Sequence, residues 1–337
     1  MGYFRFYLAF LVCYAHLAHD NWISLVRYFG PIPVEVFFLI SGFLMPLAYE
    51  TYYLKKKFFF KNYFYFISSR FIKIFPLYWI AVLISYLDQS YIHYLNNDWG
   101  IQDYIIENLI LIIIPYDKMY LPVAWSLDHE IRFYLLLPLI YYLTKKNKLF
   151  FLILGFFIFF ISEEFVASTS SIKESLKFFY LGYFLFLYKK NLTNSYQRIC
   201  ERFKILQTYG IVGFSICFHI CSIVASKLFS FTTLLTSISL MMIAIALIIN
   251  ENYEKNSRRN IFFGNLSYAV YILASLSVGY FFNGYKKLYL YFFQNSYSIF
   301  YDVYQGLMAL ITITIIAYFA NYFLLRPIDK LRQKLKK

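Results

Sequence analysis

Long apolar runs, separated by short polar or basic segments, recur from one end of the 337-residue chain to the other. A transmembrane helix needs about 20 mostly apolar residues, and helices satisfy their own backbone groups in lipid. The pattern therefore predicts an all-α polytopic membrane protein with about ten transmembrane helices. The predicted spans cover roughly residues 4–19, 33–51, 73–91, 130–144, 149–162, 175–188, 207–226, 229–250, 262–283 and 299–324.

One more apolar run, residues 104–116 (YIIENLILIIIPY), is only 13 residues long and contains Glu107. If this run crossed the membrane, Lys145, Lys146 and Lys148 would face the outer side, against the positive-inside rule. We therefore interpret it as a re-entrant or interfacial helix on the outer side, which is possible where protein covers its backbone.

The charge distribution sets the predicted orientation. The formal net charge is +14, but the apolar runs indicate basic loops beside a membrane rather than a nucleic-acid-binding surface. With the spans above, 24 of the 32 Lys and Arg residues fall on one side, which predicts that both termini are cytoplasmic. We expect residues 1–337 to form a single transmembrane domain whose basic cytoplasmic tail, 326–337, contacts anionic lipid headgroups.

An ionisable residue interrupts the first apolar run. His16 lies eleven residues after Arg5, which is close to three helical turns, so both side chains share one face. The rise is roughly 16 Å and puts His16 near the middle of the membrane if Arg5 lies at the inner surface. His16 is either a structural histidine that a neighbouring helix satisfies, or part of a reaction centre.

The second span contains an acid in the segment PIPVEVFFLISGF. Glu35 is either an interfacial carboxylate in contact with water or a partner for His16, because a nearby carboxylate orients an imidazole and stabilises its charged form. Ser41 and Gly42, further along this span, allow close approach of another helix, and we interpret them as packing residues.

Two cations lie three residues apart at the predicted start of the third span. Arg70 and Lys73 therefore share a helix face. They are either positive-inside anchors or ligands for a diphosphate, for which coenzyme A and polyprenyl diphosphates are both candidates.

The fourth span opens with AWSLDHEIRFYLLLPLI. Ser126, Glu130 and Tyr134 recur every four residues and so line one stripe, next to Trp125. Such polar groups entering a span are costly unless they face a cavity or pair with one another. We expect Trp125, Ser126 and Tyr134 to line a substrate cavity and Glu130 to have a catalytic role.

Other polar residues fit structural roles better. His129 and Arg132 are adequately explained by interfacial ion pairs, and His219 by hydrogen bonding inside a span. The sequence has neither a metal-ligand spacing nor a Gly-rich phosphate loop, so we expect no bound metal.

Taken in order, these segments resemble the acyltransferase-3 family of integral-membrane acyltransferases over residues 1 to about 330. That family has an Arg, ten residues and a His in its first helix, as at Arg5 and His16. The other matching motifs are VEVFFLISGF, RFIKIFPLYW, WSLDHEIRFYLLLP and GNLSYAVY.

The resemblance implies transfer of an acyl group, usually acetyl, from cytosolic acyl-CoA to a glycan hydroxyl. His16 would act as general base or transient acyl carrier, and Glu35 would orient it. Arg5, Arg70 and Lys73 would bind the acyl-CoA, the last two through its phosphates. The expected partners are acyl-CoA, a glycan or lipid-linked glycan acceptor and membrane lipids, without nucleic acid.

Three positions differ from the family pattern, with Glu35 in place of Asp, Lys73 in place of Arg, and Ala274 in place of His. Abundant Ile, Lys, Asn, Tyr and Phe are typical of an AT-rich bacterial genome. We therefore expect an O-acetyltransferase of the bacterial cytoplasmic (inner) membrane that modifies a surface polysaccharide such as lipopolysaccharide or capsule, or its lipid-linked precursor. The alternative is a transporter or flippase for a lipid-linked glycan.

Overall fold

The computed structural model describes residues 1–17, 31–54, 58–96, 121, 123–160, 170–202, 206–225, 232–250, 257–274 and 299–336. Within these ranges the chain is helical and contains no strand. The helices are α1 (Gly2–Leu17), α2 (Pro31–Ala48), α3 (Phe59–Asn96), α4 (Ala124–Lys146), α5 (Lys148–Phe160), α6 (Ser170–Arg202), α7 (Leu206–Ala225), α8 (Thr232–Asn250), α9 (258–274), α10 (Ile299–Ala320) and α11 (Arg326–Lys336). Short π-helical turns, Tyr49–Tyr53 and Asn321–Leu325, follow α2 and α10.

The described helices are those of a membrane protein. Three helical segments are long and apolar enough to cross a bilayer, namely Pro31–Tyr53, Phe59–Leu87 and Leu310–Lys334. Four shorter apolar stretches lie at Gly2–Cys13, Leu149–Ile158, Val212–Cys221 and Leu235–Ile249. The predicted re-entrant helix at 104–116 lies outside the described residues, and the predicted count of ten spans stays a prediction.

The chain divides into two compact units. The first comprises Met1–Leu8, Tyr28–Thr51 and Leu136–Gly264. In its centre α2 and α6 pack backbone against backbone, because a Cβ on Gly42 would overlap the Phe179 carbonyl and one on Gly182 would overlap that of Leu39. The prediction that Gly42 serves close helix packing is thus confirmed.

Polar side chains connect other helices of the first unit. His219 of α7 is buried, and its Nδ1 and Nε2 lie 2.8 Å from Ser239 Oγ of α8 and 3.0 Å from Tyr7 Oη of α1. The predicted structural role of His219 is confirmed. The Asn260 side chain accepts a 2.6 Å hydrogen bond from the Gly2 backbone N–H, and so caps the start of α1.

The second unit comprises Ala9–Arg27, Tyr52–Leu135 and Asn265–Lys337. Its longest element is α3, whose 38 residues span roughly 57 Å, more than the hydrocarbon thickness of a bilayer. The terminal helix α11 packs against α3. The Tyr63 hydroxyl of α3 donates to the Leu135 carbonyl of α4, and the Tyr268 hydroxyl of α9 donates to the Ile74 carbonyl of α3.

One boundary changes the interpretation of a predicted site. The sequence pattern predicts that the third span begins near Arg70 and Lys73, but α3 begins at Phe59. The aromatic segment before Arg70 continues the helix, so both cations lie inside the apolar segment Phe59–Leu87 rather than at its edge. An ionisable side chain within an apolar segment costs free energy, so this position argues against a purely anchoring role for the two cations.

Candidate functional site

A cluster of charged and polar side chains lies within the second unit, where α3, α9 and α11 meet. We call it the basic cluster and define it by Ser69, Arg70, Lys73, Asn265, Asp329 and Arg332. Lys73 Nζ donates to Asn265 Oδ1 at 2.8 Å and to the Asp329 carboxylate oxygens at 3.2 and 3.3 Å. Its side chain is only 16% exposed, so this ion pair is well shielded from solvent.

The terminal helix supplies a second cation to the basic cluster. Arg332 is 9% exposed, and its Nη1 contacts Asp329 Oδ1 at 2.6 Å. Its Nε donates to Ser69 Oγ at 3.2 Å, and the same hydroxyl accepts a 2.7 Å hydrogen bond from Tyr53. Charged and polar side chains therefore connect α3 to α11 within this unit.

Arg70 connects the basic cluster to α4. Its side chain is buried, and its guanidinium carbon lies 5.3 Å from the centroid of the Phe66 ring. Phe66 in turn meets the ring of Tyr134 edge to face, with centroids 6.3 Å apart. The Tyr134 hydroxyl donates a hydrogen bond to Glu130 Oε1. The predicted stripe on α4 therefore places a carboxylate and a phenol beside a helix that carries cations.

The first turns of α4 hold further polar contacts. Arg132 forms a two-point ion pair with Asp128, with N–O distances of 3.0 and 2.9 Å. His129 is buried against Trp125, with ring centroids 5.4 Å apart. The expected structural explanation of Arg132 as a member of an ion pair is confirmed.

Ser126 is buried beside a tyrosine of α9. Its hydroxyl lies 2.6 Å from that of Tyr271, and both hydroxyls contact the Val123 carbonyl oxygen. This hydrogen-bonded trio fixes the start of α4 against α9.

The sequence pattern alone assigns no functional role to several residues of this site. Asn265, Tyr268 and Tyr271 belong to the motif GNLSYAVY, which the sequence offers only as a family signature. They follow one another at three-residue intervals in an apolar helix, and this polar periodicity is the signal that could have identified them. Asp329 and Arg332 show the same spacing within a tail expected to contact lipid headgroups, whereas the structure packs these two side chains against the protein.

Other predicted residues lie elsewhere. Arg5 and Glu35 belong to the first unit. The Arg5 guanidinium carbon lies 6.0 Å from the Phe37 ring centroid, and its buried Nε has no hydrogen-bond partner within the described part of the chain. Glu35 is half-buried in α2. His16 lies in the last turn of α1, but its side chain and its predicted contact with Glu35 lie outside the described residues.

The first unit also contains a cavity of about 330 Å³ between α4, α5 and α6. Tyr141 donates to Glu50 there at 2.9 Å, and the hydroxyls of Thr144 and Tyr183 lie 2.6 Å apart. Among the described residues, no group of His, Cys, Asp and Glu has the arrangement of a metal site.

The donors of the basic cluster fit phosphate groups. Guanidinium and ammonium groups form charge-assisted hydrogen bonds with phosphate oxygens, and these are strong where water is scarce. Charged groups within apolar helices indicate a functional path or centre. The fold and the site therefore define an integral-membrane protein with an internal site suited to an anionic ligand.

A match to a protein family identifies the kind of membrane protein more closely. The sequence pattern of the acyltransferase-3 family, described as an acyltransferase domain, matches residues 1–326. The chain belongs to the acyltransferase-3 family and has an acyltransferase domain over nearly its whole length. No curated protein and no solved structure is similar enough to match it.

Proposed function

We propose that the protein is an O-acetyltransferase of the bacterial inner membrane. It transfers an acetyl group from cytosolic acetyl-CoA to a hydroxyl of a surface polysaccharide or of its lipid-linked precursor. The observation that carries the proposal is the position of Arg70 and Lys73, which belong to one basic cluster in the unit that also holds the Glu130–Tyr134 pair. Cations and an acid within one unit suit a phosphate-bearing donor and a hydroxyl acceptor.

In the proposed reaction the imidazole of His16 removes the proton of the acceptor hydroxyl, whose oxygen attacks the thioester carbonyl carbon. An ester C–O bond forms and the C–S bond breaks. The proton then passes from His16 to the departing thiolate, so the side chain ends neutral as it began. Glu35 holds the tautomer of His16, and Glu130 orients the acceptor hydroxyl with Tyr134 fixing its carboxylate.

The donor binds, in this proposal, through its diphosphate and 3′-phosphate groups to Arg70 and Lys73, with Arg5 as a further cation. Trp125, Ser126 and Tyr134 line the acceptor cavity. The single domain 1–337 crosses the membrane about ten times with both termini in the cytoplasm. The donor then approaches from the side where basic residues are concentrated, and the acceptor from the opposite side.

The experiment that tests the proposal compares the surface glycan of a strain lacking the gene with that of its parent by proton NMR. The proposal expects the same polymer without the O-acetyl signal. Loss of the whole polymer would contradict it and would favour the flippase alternative. Identical O-acetyl content in both strains would also contradict it.

A further inference from the structure

The terminal helix α11 directs two charged side chains toward α3, whereas three of its basic residues are exposed. Arg326, Lys330 and Lys334 are exposed, whereas Arg332 is 9% exposed and Asp329 is half-buried. Placing a guanidinium among helices costs free energy unless the group is paired or has a function there. This helix therefore does more than cover a lipid surface.

The Asp329 carboxylate occupies a position that resembles an anion site. It accepts hydrogen bonds from Lys73 Nζ at 3.2 and 3.3 Å, from Asn265 Nδ2 at 2.8 Å and from Arg332 Nη1 at 2.6 Å. An ammonium, a guanidinium and an amide donor converge on it from α3, α11 and α9. The same set of donors would satisfy phosphate oxygens.

The cations of the basic cluster are also close to one another. Arg70 repels Arg332 electrostatically, and Arg332 contacts Ser69, the residue before Arg70. The Asp329 carboxylate pairs with Lys73 and Arg332, and Glu130 of α4 accepts a hydrogen bond from Tyr134. Within the described part of the chain, Arg332 Nη2 makes no hydrogen bond, so the N–H groups of this nitrogen are available to a ligand.

We propose that α11 completes the donor site of the enzyme. Arg332 is a third diphosphate-binding residue beside Arg70 and Lys73. Asp329 is an internal anion that holds Lys73 and Arg332 in place until a diphosphate displaces it. The inference rests on the proposed function for the identity of the donor, but its chemistry requires only a diphosphate group, which coenzyme A and polyprenyl diphosphates share.

The test is calorimetric titration of the purified full-length protein in nanodiscs with inorganic pyrophosphate, acetyl-CoA and farnesyl diphosphate. Arg332→Ala should weaken pyrophosphate binding about tenfold, the usual effect of losing a charge-assisted hydrogen bond. Arg332→Lys keeps the positive charge but loses the planar set of guanidinium donors, and it should weaken pyrophosphate binding less. Lys334→Ala removes an exposed charge from the same helix and should leave binding unchanged. Asp329→Asn removes the competing anion and should tighten binding.

Two results would overturn the inference. One is a failure of the Arg332 comparison: Arg332→Ala binds pyrophosphate as tightly as the parent protein, or Lys334→Ala loses as much pyrophosphate affinity as Arg332→Ala. The other is weaker pyrophosphate binding by Asp329→Asn. Thermal unfolding of Arg332→Ala is compared with that of the parent and of Arg332→Lys, which retains the pair with Asp329. The comparison shows whether a loss of pyrophosphate binding in Arg332→Ala reflects misfolding.

The titrations separate this inference from the proposed function. If acetyl-CoA binds and Arg332→Ala binds it as tightly as the parent, the inference fails and the proposed donor stands. If pyrophosphate and farnesyl diphosphate bind through Arg332 but acetyl-CoA does not, the role of α11 stands and the proposed donor fails.

Discussion

At the scale of single residues, Tyr134 connects the acid and the cations of the site. Its hydroxyl donates to Glu130, and its ring meets Phe66, over which the Arg70 guanidinium lies. The four-residue spacing in the sequence predicts that Glu130 and Tyr134 are neighbours on one helix face. It could not predict that Phe66 and Arg70 of another helix would lie beside them, because that contact depends on tertiary packing.

Tyr134→Phe should lower the rate of acetyl transfer about tenfold without lowering protein accumulation, because the ring stays and only the hydrogen bond to Glu130 is lost. The measurement is transfer of radiolabelled acetyl groups from acetyl-CoA to glycan in membrane vesicles. Tyr142→Phe changes an exposed tyrosine of the same helix and is the matched control. Equal rates for both variants would rule out a role for the Tyr134 hydroxyl.

Tyr7→Phe should lower the free energy of unfolding by about 1 kcal/mol, because it removes one hydrogen bond to the buried His219. Thermal unfolding in detergent measures the change. Tyr3→Phe alters an exposed tyrosine of the same helix and should have no effect. A melting temperature of Tyr7→Phe equal to that of the parent would show that this contact contributes nothing to stability.

At the scale of helices, the apolar pattern predicts which segments are helical better than it predicts where they begin. Helix α3 begins 14 residues before the predicted span at 73–91, because the aromatic segment from Phe59 is as compatible with a helix as the apolar run that follows. The helical stretch α6, Ser170–Arg202, likewise continues well past the predicted span at 175–188. Hydropathy identifies the membrane-compatible part of a helix, not the whole helix.

Gly182→Leu should destabilise the protein by about 1–3 kcal/mol or prevent its accumulation, because a side chain there would overlap the backbone of α2 at Leu39. Fluorescence-detected size-exclusion chromatography measures the folded fraction. Leu181→Phe adds volume at the exposed neighbouring position and should be tolerated. Normal accumulation and stability of Gly182→Leu would contradict the close packing of α2 and α6.

At the scale of the whole chain, the hydrogen bond between α3 and α11 joins residues far apart in sequence. Ser69 and Arg332 are 263 residues apart, and no local pattern predicts their hydrogen bond. The family motifs indicate an acyltransferase, but they end before Asp329 and Arg332. The sequence therefore predicts the class of protein and that Arg70 and Lys73 share a helix face, whereas the contacts made by α11 follow only from the fold.

The proposed topology places the C-terminus in the cytoplasm. A green fluorescent protein fused after Lys337 should therefore fluoresce, and alkaline phosphatase fused at the same point should be inactive. Alkaline phosphatase fused after Asp98, in a predicted outer loop, should be active and serves as the control. Active phosphatase at the C-terminus would contradict the predicted orientation and the proposed approach of the donor from the cytoplasm.

The most direct test of acetyl transfer centred on His16 is the O-acetyl content of the surface glycan, measured by proton NMR in strains that carry single variants at equal protein levels. His16→Ala should abolish the O-acetyl signal, because no other group in the proposal removes the acceptor proton. His19→Ala, three residues further along the chain, should leave it intact. Full acetylation in the His16→Ala strain would contradict the mechanism.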